Sequence, residues 1–174
     1  SAHRSSLHKI GIETSNLYSA FLAITIELLE PGGELVAITP RSFCNGPYFK
    51  PFRKLLLEAM SLRRIHIFES RDKAFSDDEV LQENIIFYAV KDNIKSRVGI
   101  STSYGPGEEV TTIHEVDYKQ VVDPTDPDLV IHIVANVTDQ FVLDRIQALQ
   151  YSIDDLGINV STGRVVDFRA KEFL

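Results

Sequence analysis

The stretch NLYSAFLAITIELLEPGGELVAITP, residues 16 to 40, constrains the fold more than any other part of the chain. Leu17, Phe21, Ile24 and Leu28 recur at helical spacing, and Tyr18, Leu22, Ala23, Ile26 and Leu29 widen the apolar face. The pattern predicts a largely buried helix, with Thr14 or Ser15 placed to cap it. Pro31, Gly32 and Gly33 then stop it, because proline cannot continue a helix and glycine accepts the left-handed turn that closes one. Leu35 to Ile38 is continuously apolar, as expected of a parallel strand covered on both faces. A helix that passes to a strand through a short glycine turn is the joint of an α/β layer.

The strand runs into ITPRSFCNGPYF, residues 38 to 49, which offers a positive charge, a hydroxyl and aromatic rings. Parallel sheets present their carboxyl ends to ligands, so this loop is a candidate site. A second helix is expected over Pro51 to Ala59, with proline in its first turn. RRIHIFE (63 to 69) alternates like a strand, SRDKAFSDDEV is a polar loop, and ENIIFYAVK (83 to 91) is a further strand. After Asp92 the texture changes. RVGISTS, TTIHEVDYKQVV and LVIHIV read as three strands, separated by the turn formers GPGEE and DPTDPD. DQFVLDRIQALQ (139 to 150) predicts a short helix with Phe141, Ile146 and Leu149 inward, and LGINVSTGRVVDFR predicts a strand pair around Ser161, Thr162 and Gly163. A domain boundary is expected near residue 93, dividing 1–92 from 93–174.

At 174 residues the chain can bury a real core. No run reaches the roughly 18 apolar residues of a membrane span. The single cysteine, Cys44, excludes an internal disulfide and fits a reducing, cytoplasmic compartment. The net charge of −7 argues against a simple nucleic-acid coat, but its distribution is uneven. Residues 41 to 73 carry eight basic against three acidic side chains, whereas 93 to 174 carry seven against thirteen. Such a basic band suits phosphate contacts, and equally suits a solvated helix face.

Phosphate loops, glycine-rich dinucleotide turns and paired-histidine zinc motifs are absent from the sequence. His66 and His132 lie on strand-like segments, which favours hydrogen-bonded structural histidine over a ligand. Asp117-Tyr-Lys119, with Glu108 and Glu109 upstream, has the acid-x-lysine spacing of metal nucleases, but that triplet arises readily by chance in a chain a quarter charged. DPTDPD is three spaced acids between prolines, more a turn than a cation site. No metal site is expected.

The ordered series Asn16-Leu-Tyr, Phe21, Pro31-Gly-Gly, apolar strand and proline-led loop resembles the adenine-specific DNA methyltransferases of restriction-modification systems. The family has lysine where this chain has Glu30. Downstream, AFSDDEVLQENIIFYAV resembles the family's phenylalanine loop and following strand, and LGINVSTGRVVDFR the lead-in to its target-recognition region. The likeness covers most of residues 12 to 92 and, more weakly, 151 to 169.

The resemblance implies the later half of a Rossmann-like α/β S-adenosylmethionine methyltransferase domain, followed by a strand-rich segment leading to target recognition. It implies that Phe21 approaches the adenine ring of S-adenosylmethionine and that Phe75 stacks on a target adenine flipped out of double-stranded DNA. Extrusion costs a few kcal/mol, which stacking offsets. Arg41, Ser42 and Asn45 become candidates for phosphate or base contacts. By periodicity alone Phe21 belongs to the core, whereas Phe75 stands by itself in a charged loop. The family's glycine motif and its catalytic Asn-Pro-Pro-Tyr do not occur in the sequence. The chain, which starts at Ser1, is therefore expected to be a fragment without catalytic residues, inactive alone. An apolar strand bared at its edge predicts a homo-oligomer. The rival expectation is a non-catalytic α/β module for DNA binding or subunit assembly, and methylation of RNA or protein on the same fold is a third.

Overall fold

The computed structural model describes residues 16–69, 83–151, 153 and 155–159. Helix α1 spans Leu17–Leu28, and its cap is Asn16 rather than Thr14 or Ser15. The Asn16 side chain accepts from the Ser19 backbone N–H at 3.1 Å, satisfying a donor that the first turn leaves free. At the other end the Lys91 ammonium donates to the carbonyls of Ile26 and Leu29, both at 2.7 Å. Gly32 then adopts φ +81, a left-handed conformation that side chains with a Cβ resist.

The buried side of α1 is Ser19, Ala20, Ala23 and Ile26. The stripe expected to face inward (Leu17, Phe21, Ile24 and Leu28) faces outward instead. The helix is apolar nearly all round, so its periodicity cannot choose a face. Its small residues allow the closest approach to the core, and Ala23 and Ile26 join it.

Strands β1 (Glu34–Pro40), β2 (Ser61–Phe68), β3 (Asn84–Val90), β4 (Arg97–Ser103) and β5 (Val110–Asp117) form one sheet in the order β1-β3-β2-β4-β5. Helix α2 (Lys50–Ala59) connects β1 to β2. β3 lies antiparallel between β1 and β2, β4 pairs parallel with β2, and β5 returns antiparallel. β4 and β5 lie beyond residue 93 and extend the same sheet. One face carries the core: Leu35, Ile65, Ile67, Ile85, Phe87, Val98 and Ile100 meet Ala23, Ile26, Phe52 and Leu56 of the helices.

β1 departs from expectation. It pairs antiparallel and is covered on one face only, leaving Val36 67% and Ile38 52% exposed. An apolar run shows that both faces favour burial, but not what supplies the cover.

Two further expectations fail locally. TTIHEVDYKQVV is strand only to Asp117, where a capping box with Gln120 opens the single-turn helix α3 (Tyr118–Val121). LVIHIV makes one isolated bridge, Val122 to Ile131, because Leu129 at φ 52 breaks the extended run.

Residues from Thr138 form a second compact unit. Helix α4 (Val137–Gln147) is present as expected, but Phe141, Ile146 and Leu149 are exposed rather than inward. Its sequence mixes charge around the helix, so three apolar positions do not make a buried stripe. The strand pair expected around Ser161 to Gly163 lies outside the described residues. No described helix is long and apolar enough to cross a membrane.

Candidate functional site

The loop after β1 consists of two short 3-10 turns, Arg41–Phe43 and Pro47–Phe49, leading straight into α2. Pro40 ends the strand because it has no N–H to continue a ladder. Three backbone bonds then fold the loop on itself, from Cys44 N–H to Arg41 O at 2.9 Å, Gly46 N–H to Ser42 O at 2.9 Å, and Phe49 N–H to Gly46 O at 3.1 Å. A Cβ on Gly46 would sit 2.6 Å from the Ser42 oxygen, so the tight turn requires glycine.

Phe43 and Cys44 anchor the loop in the core. Burial pushes the Cys44 thiol up to about 12, which leaves it uncharged and a poor nucleophile near neutral pH. The Phe49 ring stacks on Tyr18 of α1 with centroids 5.7 Å apart. Burial also raises the Tyr18 phenol, with the neighbouring Ser42 and Asn16 side chains opposing the shift. The Thr39 hydroxyl is buried and has no hydrogen-bond partner among the described residues.

Outward, the loop presents Ser42, Asn45 and Tyr48. Arg41 is half-exposed, 3.5 Å from both Glu83 Oε2 and the Ile133 carbonyl. Three of the four anticipated residues that fall within the described ones, Arg41, Ser42 and Asn45, thus share one loop. Phe21 stands apart on the outer face of α1, 65% exposed, and Phe75 lies outside the described residues.

Tyr48 was not singled out from sequence, yet it is 81% exposed. Its only sequence signal is its place between Pro47 and Phe49. Arg53 was also missed, having been counted as surface charge. It is fully buried, and its guanidinium donates to the carbonyls of Phe43 (2.9 Å), Gly46 (2.6 Å) and Asp128 (3.1 and 2.8 Å).

Part of the basic band is taken up by structure, Arg53 by burial and Arg63 by an ion pair, while Lys50 and Lys54 make exposed pairs. Arg63 binds Asp92 at 2.6 Å, Lys50 pairs with Asp128 at 3.0 Å, and Lys54 lies 3.9 Å from Glu58. The DPTDPD loop receives Arg53. Asp126 accepts from the backbone N–H of Asp128 and Val130, both at 2.9 Å, and so turns the Asp128 carbonyl toward Arg53. No group of three acids, histidines or cysteines among the described residues is placed to hold a metal, and this includes the acids around Asp117. His66 is structural, its ring nitrogens 2.8 and 3.0 Å from the Ser101 and Ser103 hydroxyls.

Comparison with known proteins adds to this geometry. The family described as Eco57I restriction-modification methylase matches residues 4–75. The sequence is 51% identical over 172 residues, 98% of this chain and 34% of the relative, to the type II methyltransferase M.PstI of Providencia stuartii. It is 49% identical over 175 residues, 100% of this chain and 34% of the relative, to the type II methyltransferase M.BsuBI of Bacillus subtilis. Among solved structures, the type IIG restriction endonuclease BpuSI aligns with 59% of this chain and 14% of its own, at TM-score 0.45 and 16% identity. The chain spans about a third of the length of the curated relatives it matches.

Proposed function

The chain belongs to the type II methyltransferases, matching about a third of the length of M.PstI and M.BsuBI, and on that premise we propose a function for the full-length protein. It transfers the methyl group of S-adenosylmethionine to the N6 amino nitrogen of an adenine in double-stranded DNA. The observation that supports this reading is identity near one half along almost the entire chain to two type II methyltransferases.

When bound, S-adenosylmethionine supplies an electrophilic methyl group. Phe21 fits that cofactor, because its ring stands outside the core and can stack on an adenine face. Arg41, Ser42 and Asn45 contact phosphate or base edges from the loop after β1, and Phe75 stacks on the flipped base. The transfer this reading implies is direct, without a covalent enzyme intermediate. The groups that prepare the amino nitrogen for attack belong to the full-length enzyme, whose reaction on DNA takes place in the cytoplasm. The segment before residue 93 belongs to catalysis, and the segment after it leads toward target recognition.

The test is methyl transfer by the full-length protein from radiolabelled S-adenosylmethionine to duplex DNA, followed by digestion to nucleosides. Label on N6-methyladenine is expected. Label on cytosine would refute the adenine assignment. DNA binding without any transfer would leave the non-catalytic module.

The edge position of β1, with Val36 and Ile38 exposed, favours one addition: alone in solution, this chain self-associates through that strand. A monomer on a sizing column, with no binding of an apolar dye, would rule that out.

A further inference from the structure

We propose that Arg53 is a positioning residue that holds the 41–49 loop in the conformation that meets DNA. The inference rests on the loop's assignment to DNA contact.

Four features carry it. First, the Arg53 guanidinium is inaccessible to solvent and binds no carboxylate among the described residues. Its partners are backbone carbonyls, two of them on the loop (Phe43 and Gly46) and one, doubly contacted, on Asp128. Desolvating an arginine is costly, and charge-assisted bonds to several carbonyls are what offset it. Second, the two anchored carbonyls bracket Asn45. A planar, forked donor fixes the directions of both carbonyls together, which a single ammonium cannot do. Third, the receiving segment is itself prepared. Leu129 holds φ 52, a left-handed conformation that leucine disfavours, while Asp126 pins the turn. Fourth, the same segment grips the loop again, with Ile131 N–H donating to Cys44 O at 2.8 Å. A loop clamped at Phe43, Cys44 and Gly46 has little freedom left. Ser42, Asn45 and Tyr48 are thereby presented without an ordering cost on binding, which is the general benefit of preorganisation.

The experiment uses the full-length protein with Arg53→Lys, Asn45→Ala, Ser42→Ala and the Arg53→Lys/Asn45→Ala double variant. Arg53→Lys keeps the charge and the stem but loses the fork. Three measurements are made: thermal unfolding, amide hydrogen exchange over residues 43–46, and affinity for duplex DNA. Arg53→Lys is expected to fold, to exchange faster at Cys44 and Gly46, and to bind DNA about tenfold more weakly. Asn45→Ala should weaken binding in the wild-type background and have much less effect beside Arg53→Lys, because a displaced loop no longer presents the side chain. If Arg53→Lys lowers the melting temperature while the folded protein binds DNA as wild type does, Arg53 is structural and the proposal falls. Unchanged exchange over 43–46 overturns it as well. Should Asn45→Ala and Ser42→Ala both bind DNA normally while wild-type methyl transfer persists, the loop assignment fails and takes this proposal with it. Absence of methyl transfer by wild type would instead strike the enzymatic reading, and the DNA-binding cycle would still decide the role of Arg53.

Discussion

The Arg53 guanidinium donates two hydrogen bonds to one carbonyl oxygen, that of Asp128, at 3.1 and 2.8 Å. These residues join α2 to a turn 75 positions later, and Asp128 is also the salt-bridge partner of Lys50. Replacing Arg53 by methionine fills the space but leaves the carbonyls of Phe43 and Asp128 without their donor, and that of Gly46 with the Phe49 N–H alone. An unsatisfied buried acceptor costs about 1–3 kcal/mol, so Arg53→Met should lower stability by about 3 kcal/mol or more in urea unfolding. A loss below about 1 kcal/mol would show that water replaces the side chain freely.

Lys91 closes α1 by binding the Ile26 and Leu29 carbonyls, groups that the last helical turn cannot satisfy itself. Its charge also lies at the negative end of the helix dipole. Lys91→Met is expected to cost about 1–2 kcal/mol, with faster exchange of the last amides of α1. Unaltered exchange there would mean that the contact is incidental.

His66 bridges Ser101 and Ser103 of β4, and burial lowers its pKa from the ordinary 6.5. As pH falls the unfolded chain takes up that proton first, so unfolding is favoured. The contribution of His66 is therefore complete above about pH 6.5 and declines as pH drops through the lower folded value. His66→Gln should flatten the pH dependence of the melting temperature between about pH 7 and pH 5. Parallel slopes for wild type and variant would assign that dependence to other groups.

Phe21 allows a clean separation of two roles. Its ring is exposed, so Phe21→Ala should cost less than about 1 kcal/mol of stability. In the full-length protein it should weaken S-adenosylmethionine binding at least about fivefold, the lower end of what one stacked base contributes. Titration calorimetry beside thermal unfolding reads both. A large loss of stability with unchanged cofactor affinity would make the ring a packing residue.

Much of the architecture can be read directly from the residues. The α1 helix, its stop at Pro31–Gly33, and strands β1 to β4 follow from hydrophobic period and turn chemistry, which act between near neighbours in the chain. The position of the loop after β1, with Arg41, Ser42 and Asn45 on it, follows from the same reading. The inward face of α1 does not, because a helix apolar all round offers several stripes and only the packing surface chooses Ala23 and Ile26 over Leu17 and Phe21. Nor does the fate of the basic band, since a charge count cannot show that Arg53 is buried or that Arg63 is held by Asp92.

By itself, then, the sequence determined the local elements and their order, because sterics, period and capping are decided within a few residues. Tertiary structure alone decided which apolar residues lie outside, the antiparallel insertion of β3 between β1 and β2, and the conversion of one arginine from surface charge into a buried clamp. Burial and the neutralisation of charge require partners, and the partners of Arg53 and Lys91 lie 75 and 65 positions away along the chain.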